Sequence, residues 1–399
     1  MTPLNPLFAV FIFLIAFLTA YLLNLKYKNE QLSKRYETID GMRGFLAIGV
    51  FIHHSSIWFQ YLETNSWDAP KSNLFIQLGQ TSVSLFFMIT SFLFITKLLN
   101  ASASGFDWKH FFISRIFRLA PLYYISFAIM LLILMIITGW ELHVSWFDFI
   151  SSLFHWGTFT ITRAPVINGE VMTHLINAGV IWSLPFEWLF YCSLPLISLL
   201  ILHIKPSKFF LACSFLFVAG YSIAHGVKME HILSFAGGAI APLLLKYTSF
   251  KDKSNTYLTS AIVLISLLLI GQFDTANNVF CKILIAIVFT FIACGNTMFG
   301  LFKNSTLRFL GDIGYSTYLL HGIILFTVIY FGIGFDIAKQ YSPLAFCTII
   351  FLITPIVVII SFLSFRFIEK PFMNRAKKIK PDNQKNVSTP LFAWLLFKK

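Results

Sequence analysis

The chain has 399 residues, of which 57% are hydrophobic, 18% aromatic and only 12% charged. Soluble domains run to roughly 45–50% apolar and about 25% charged, so a chain with half that charge cannot clothe a water-facing surface of its size. An ordinary soluble protein and a disordered one are both excluded, which leaves a multi-pass membrane protein.

Apolar stretches of about 20 residues are long enough to cross a bilayer. In chain order they predict spans at 7–24, 44–61, 79–99, 119–138, 179–202, 209–225, 230–245, 257–273, 283–301, 311–333 and 343–365. The expected fold is therefore an all-α polytopic helical bundle of about 11 transmembrane helices. The short pair 209–225 and 230–245, tightly linked through Gly226, reads as a helical hairpin. The largest outer loop is about 140–178.

The net charge of +13 would suit a nucleic-acid partner only if the cations gathered on one folded surface. They do not. With the C-terminus inside, the segments 25–43, 97–118, 203–208, 246–256, 302–310 and 366–399 hold 25 of the 30 lysines and arginines. The other side keeps Lys71, Arg163, Lys228, Lys282 and Lys339. Cations collect in cytoplasmic loops, so the chain is expected N-out and C-in, and no nucleic-acid partner is expected. The first span lacks a basic leader and an A-x-A-like cleavage site, and Lys26, Lys28, Lys34 and Arg35 follow it. It reads as a retained anchor. Leu391–Lys399, apolar and aromatic with two terminal lysines, reads as a segment on the cytoplasmic face.

Cys192, Cys213, Cys281, Cys294 and Cys347 lie inside apolar runs without CxxC spacing. They read as small hydrophobes rather than a disulfide framework, and no metal site is expected.

Charge inside hydrocarbon is costly, so ionisable residues within spans are functional candidates. Arg43 and His54 lie eleven residues apart. Eleven steps of about 100° bring them to within about 20° on one helical face, with His54 about 16 Å deeper. His53 is turned about 80° away from that face. Glu187 lies roughly 12 Å into a span that enters from outside, behind Pro185, which frees an upstream carbonyl. His321 lies about 16 Å into a span that enters from inside. His54, Glu187 and His321 thus reach one level near the midplane, where a carboxylate partner can fix a histidine's tautomer and raise its basicity. Arg115 and Arg118 are three residues apart at the cytoplasmic start of the fourth span, neighbours on one face and suited to phosphate. The plainer roles are interface anchoring for the arginines and interhelical hydrogen bonding for Glu187 and His321.

Together these motifs resemble the acyltransferase type 3 family of integral membrane acyltransferases. Arg-x10-His fits Arg43 and His54 within Asp40-Gly-Met-Arg43-Gly, and Arg-x-x-Arg fits Arg115 and Arg118, followed by Pro121 and Tyr124. Ser183, Leu184, Glu187, Phe190 and Tyr191 fit a third motif, and Tyr315, Ser316, Tyr318, Leu319 and His321 a fourth. Phe367–Pro371 fits the closing Phe-Ile-Glu-Lys-Pro. In Ser82-Val-Ser-Leu-Phe-Phe-Met-Ile-Thr90-Ser91, the family's acidic residue is Ser84 and its Ser-Gly pair is Thr90-Ser91.

The resemblance implies a ten-span acyltransferase core at 37–371. An additional N-terminal anchor and linker at 1–36 would precede it, and a basic cytoplasmic tail at 372–399 would follow. It implies transfer of an acyl group, most often acetyl, from cytoplasmic acetyl-CoA or another acyl-CoA. The acceptor would be a hydroxyl of an extracytoplasmic glycan or lipid-linked sugar, such as O-antigen, capsule or exopolysaccharide. No bound cofactor is implied, since acyl-CoA is a co-substrate, and membrane lipid surrounds the bundle. Arg43, Arg115 and Arg118 would hold the CoA phosphates. His54 would act as general base or acyl relay, with Glu187 orienting it and His321 assisting. Trp140, Trp156 and Arg163 in the outer loop would meet the acceptor. Two alternatives stand beside this one: a transporter or flippase using the midplane His and Glu as a proton relay, and a glycan polymerase that uses no CoA.

Overall fold

The computed structural model describes residues 1–27, 36–101, 106–200 and 206–379. The helices in order are α1 (Pro6–Tyr27), α2 (Glu37–Thr64), α3 (Asn73–Leu99), α4 (Trp108–Ile137), α5 (Trp146–Gly157) and α6 (Thr173–Ile176). There follow α7 (Leu184–Leu200), α8 (Lys208–His225), α9 (Met229–Tyr247), α10 (Phe250–Lys253), α11 (Tyr257–Ile270) and α12 (Val279–Ala293). The chain closes with α13 (Ser305–Asp312), α14 (Gly314–Phe326), α15 (Phe335–Ala338), α16 (Pro343–Ser364) and α17 (Lys370–Lys378). The described residues contain no strand. Lys28, Lys34, Arg35 and the segment Leu391–Lys399, read above as cytoplasmic, lie outside the described residues.

Each expected span falls on a helix, and 7 helical segments are long and apolar enough to cross a membrane. Their outer faces carry exposed large apolar side chains, such as Leu14 and Leu18 on α1, Leu132 and Ile136 on α4, and Leu352 on α16. Apolar patches of that extent suit lipid and not water. This is an all-α multi-pass membrane protein.

α2 runs through the centre, packed on α3, α13, α14 and α1. Its Asp40-Gly-Met-Arg43-Gly motif has a steric reason. A side chain at Gly41 would collide with the carbonyl of Phe302, and one at Gly311 of α13 with the carbonyl of Asp40. The glycines let the two backbones touch, which fixes the level and direction of Arg43. α1 is no detached anchor: it lies along α16 and α13, with Phe8 fully buried and Phe13 stacked on Phe45 of α2 at 4.2 Å.

Two expectations are corrected. The span expected at 283–301 ends at Ala293. Asn296, buried, there gives its amide to the Ser254 carbonyl and the hydroxyls of Thr259 and Ser260, holding a polar turn. Lys282, counted as an outer loop cation, is only 4% exposed. It sits within α12 and donates to Ser84 Oγ at 2.6 Å and Ser234 Oγ at 3.0 Å. Ser84 holds the position where the resemblance leads one to expect an acid, so a buried cation meets a hydroxyl there. An ammonium taken out of water needs its hydrogen bonds. We expect Ser84→Ala to cost about 1–3 kcal/mol in thermal or denaturant unfolding. Lys282→Met, which removes the charge and keeps the bulk, should cost less and restore stability in the Ser84→Ala background.

Candidate active site

The site begins at three arginines. A cavity of about 280 Å³ is lined by Arg43, Arg115, Arg118, Glu187, Tyr191 and Asp312 among others. Asp107 caps α4 by accepting from the His110 amide, which sets the helix phase that carries Arg115 and Arg118 inward. Arg115 rests on the face of Phe94, 4.8 Å from its centroid, and reaches the Tyr191 phenol. Arg118 is paired at 3.0 Å with Glu369, whose side chain is fully buried. Ser316 donates to the other oxygen of the same carboxylate. Arg43 has Asp40 at 3.8 Å. Glu187 accepts from Tyr191 and faces the charges of all three arginines.

One helical turn before Glu187, Ser183 lines the same cavity together with Tyr318. Val180–Ser183 forms a tight 3-10 turn ahead of Pro185, and because the Leu184 amide bonds to the Ile181 carbonyl, the Val180 carbonyl is left open to side-chain donors. The Tyr318 phenol donates to the Val180 carbonyl at 2.8 Å and lies 2.9 Å from Ser183 Oγ. This hydroxyl pair forms a partition.

Beyond it lies the histidine pair. His54 Nδ1 and His321 Nε2 are 3.0 Å apart, and the Tyr318 and His321 ring centroids are 6.4 Å apart. The neighbours decide the tautomers. His321 Nδ1 lies 2.9 Å from the Thr317 carbonyl, which can only accept, so Nδ1 carries the proton. In the neutral ring, Nε2 of His321 is then an acceptor. His54 Nδ1 must therefore be the donor, shared between His321 Nε2 and the Val50 carbonyl at 3.1 Å. His54 Nε2 is left with a lone pair and no hydrogen-bond partner among the described residues. Trp67, on the loop between α2 and α3, lies roughly parallel over His54 with centroids 6.5 Å apart.

The structure thus joins His54 to His321, and Glu187 to Arg43, Arg115 and Arg118, in two compartments. Glu187 is not the orienting partner of His54: helical depth places both near the midplane, but Glu187 turns to the arginines and His321 takes that position. His53 faces α3 instead, bonded to the Phe75 carbonyl at 2.8 Å.

In the outer region, Trp156 is 1% exposed; it donates to the Pro165 carbonyl at 2.8 Å and stacks on Phe127, so it packs the fold and is not open to an acceptor. Trp140 is 65% exposed and Arg163 is exposed, with no contact to the histidine pair. The sequence reading missed Trp67, and it placed Glu369 in the closing Phe-Ile-Glu-Lys-Pro motif without giving it a role. Glu369 had a signal, an acid at the end of a long apolar run. Trp67 had none, because only the fold brings that loop over His54.

Among the described residues no group of His, Cys, Asp and Glu is placed to hold a metal ion.

Residues 36–365 match the family described as an acyltransferase domain. The chain is also similar to nodulation protein 10 of Rhizobium leguminosarum bv. viciae, at 26% identity over 179 residues, 42% of this chain and 46% of that protein. The chain therefore spans about half the length of this curated relative. No solved structure matches. With the family match running from the start of α2 to the end of α16, the chain belongs to the acyltransferase type 3 family.

Proposed function

We propose that the protein is a membrane O-acyltransferase of the bacterial cytoplasmic membrane, moving an acyl group, acetyl above all, from cytoplasmic acyl-CoA to a hydroxyl of an extracytoplasmic glycan. The single observation that carries this reading is the free Nε2 of His54, held in that tautomer by His321. The distribution of cations supports an orientation in which the arginine cavity opens to the cytoplasm.

In this reading the CoA phosphates meet Arg115 and Arg43, and the pantetheine arm runs through the cavity to the Tyr318–Ser183 partition. The thioester reaches His54 once that partition parts. His54 Nε2 takes the proton of the acceptor hydroxyl as its oxygen attacks the thioester carbonyl. The carbon–sulfur bond breaks, and the departing thiolate takes the proton back from His54. The products are an ester and free CoA thiol. His321 stabilises the imidazolium through its lone pair on Nε2. The family's alternative, an acyl group carried on His54 itself, uses the same free nitrogen.

The deciding assay follows label from acetyl-CoA into glycan in vesicles holding only the purified protein. A transporter would move substrate with no acetyl-CoA consumed, and that result would sink the proposal. Arg115→Ala should raise the KM for acyl-CoA roughly 10-fold or more, the value of one charge-assisted hydrogen bond, with kcat little changed. An unchanged KM would leave Arg115 as a packing residue on Phe94.

A further inference from the structure

Trp58 and Tyr61 follow His54 by four and seven residues, so all three share one face of α2, the face that carries Arg43 at its other end. The loop 65–72 joins α2 to α3 and folds back over that face. Its residues Asn65, Ser66, Asp68 and Ala69 are exposed, and Trp67 between them turns inward and is half-buried. The Trp67 ring meets Trp58 at 5.4 Å and Tyr61 at 5.7 Å, both edge to face, and lies 15° from parallel to the His54 ring. With the cations placing the Arg43 end of α2 toward the cytoplasm, Trp67 covers His54 from the outer side.

The indole is held differently from the rings beside it. Trp58 is fully buried, against Phe326 of α14, and Tyr61 packs on Phe335 of α15. Trp67 has ring contacts alone: its indole N–H makes no hydrogen bond among the described residues. The hydrogen bonds of the loop stay within it or run to the flanking end of α2. The Asn65 amide donates to the Tyr61 carbonyl at 2.8 Å, the Ser66 amide to Thr64 Oγ1 at 3.2 Å, the Ser66 hydroxyl to Asp68, and the Ser72 amide to the Pro70 carbonyl at 2.7 Å. An edge-to-face ring pair contributes only about 0.5–1.5 kcal/mol beyond the area it buries. A sugar arriving at His54 therefore displaces Trp67 by exchanging ring contacts, with no backbone bond lost.

The chemistry at His54 gives this cover its importance. An open base beside a thioester serves water as readily as a sugar hydroxyl. The water oxygen bonds to the thioester carbonyl carbon while its proton goes to His54 Nε2. The carbon–sulfur bond breaks and the thiolate takes the proton back, which leaves a carboxylic acid and free CoA thiol. Excluding water from a site suppresses such side reactions. We propose that Trp67 sets the choice of acceptor over water: it shields His54 from the outer water while no acceptor is bound, and yields its place to the acceptor. This rests on the acyl-transfer reading above and adds the residue that governs which hydroxyl reaches the base.

The test uses the full chain in phosphatidylcholine nanodiscs and two probes. Diethyl pyrocarbonate, which modifies open imidazole nitrogens, reads the cover without turnover. Modification of His54, located by fragment mass spectrometry, should be about tenfold faster or more in Trp67→Ala than in wild type, and near the wild-type rate in Trp67→Phe. Acetyl-CoA with no acceptor added reads attack by water. Its hydrolysis should rise about tenfold or more in Trp67→Ala, a part of the 10²–10⁴ that a positioned base supplies, and return to the wild-type level when His54→Ala is added. A Trp67 that only anchors its loop would change the unfolding temperature and leave both rates alone, and that result overturns the proposal. So does extra hydrolysis that persists without His54. If Trp67→Ala fails to insert, Trp67→Leu, which keeps an apolar anchor and loses the ring, decides by the same two rates. Hydrolysis at the wild-type level in Trp67→Ala, when wild type does transfer label to glycan, also overturns the proposal. No consumption of acetyl-CoA by any of these proteins, with or without glycan, instead overturns the acyl-transfer reading and the selection built on it.

Discussion

His54→Ala should lower acyl transfer by about 10²–10⁴-fold, the range spanned by a well-placed general base, while the protein inserts and binds acyl-CoA as before. Two features of the site concentrate the effect on this one ring. Its Nε2 is the open lone pair of the pair, and its Nδ1 proton is already committed to His321 and the Val50 carbonyl. His321→Ala should fall short of that loss. It removes the acceptor that holds His54 in one tautomer, but Val50 still accepts the Nδ1 proton. His321→Gln, which can present a side-chain carbonyl toward His54, should recover part of the rate. Measurements of kcat and KM on purified protein separate the cases: both histidine variants should move kcat and leave the KM for acyl-CoA near its original value. Wild-type kcat in His54→Ala would remove the histidine pair from the chemistry.

Arg118→Ala should act mainly on stability. The Glu369 carboxylate is buried, 3.0 Å from Arg118, and Ser316 serves its other oxygen. Removing the guanidinium leaves a carboxylate in the protein interior without its counter-charge, a loss of about 3–5 kcal/mol. The same pair joins the N-terminal part of α4 to the π-helical segment Phe365–Glu369 that follows α16, so its loss should loosen that junction. Glu369→Gln in the Arg118→Ala background should recover much of the stability, because a neutral amide keeps its bond to Ser316 and carries no charge. Unfolding in detergent, followed by tryptophan fluorescence, gives the comparison. Near-equal stability of Arg118→Ala and wild type would show that water reaches Glu369 and that the arginine is free to serve a substrate phosphate. Arg115 faces Glu187 across the cavity but shows no close ion pair like Arg118–Glu369 among the described residues, so it is the residue on which the donor's phosphate test belongs.

Much of this was legible before any coordinates. Helix positions followed from apolar length, because hydrocarbon forces backbone groups to bond within their own segment. The shared level of His54 and His321 followed from rise per residue. Azimuth did not follow. Glu187 was expected beside His54 because depth alone was counted, whereas the direction in which α7 presents its carboxylate depends on how it rolls against α8 and α3. Lys282 was misplaced for a related reason. It stands near the edge of an apolar run, where sequence cannot separate a loop cation from one folded back onto Ser84 and Ser234. Trp156 was offered as an acceptor contact because aromatic residues in outer loops are often interfacial; only the packing of α5 against α4 buries it.

The partition of Tyr318 and Ser183 has a consequence for the cell's energy supply. Tyr318 and Ser183 line the arginine cavity and Tyr318 stands against His321, so in the acyl-transfer reading proposed above this hydroxyl pair lies between the donor's cavity and the partly buried His54. In the proposed reaction every passage of a thioester parts that pair, and a path wide enough for pantetheine is wide enough for water and hydronium. A protein that turned over with both compartments wet would drain the proton-motive force of its membrane. In the proposed reaction the donor arm is therefore its own plug: it fills the gap it opens, and Tyr318 swings back onto the Val180 carbonyl as the CoA withdraws.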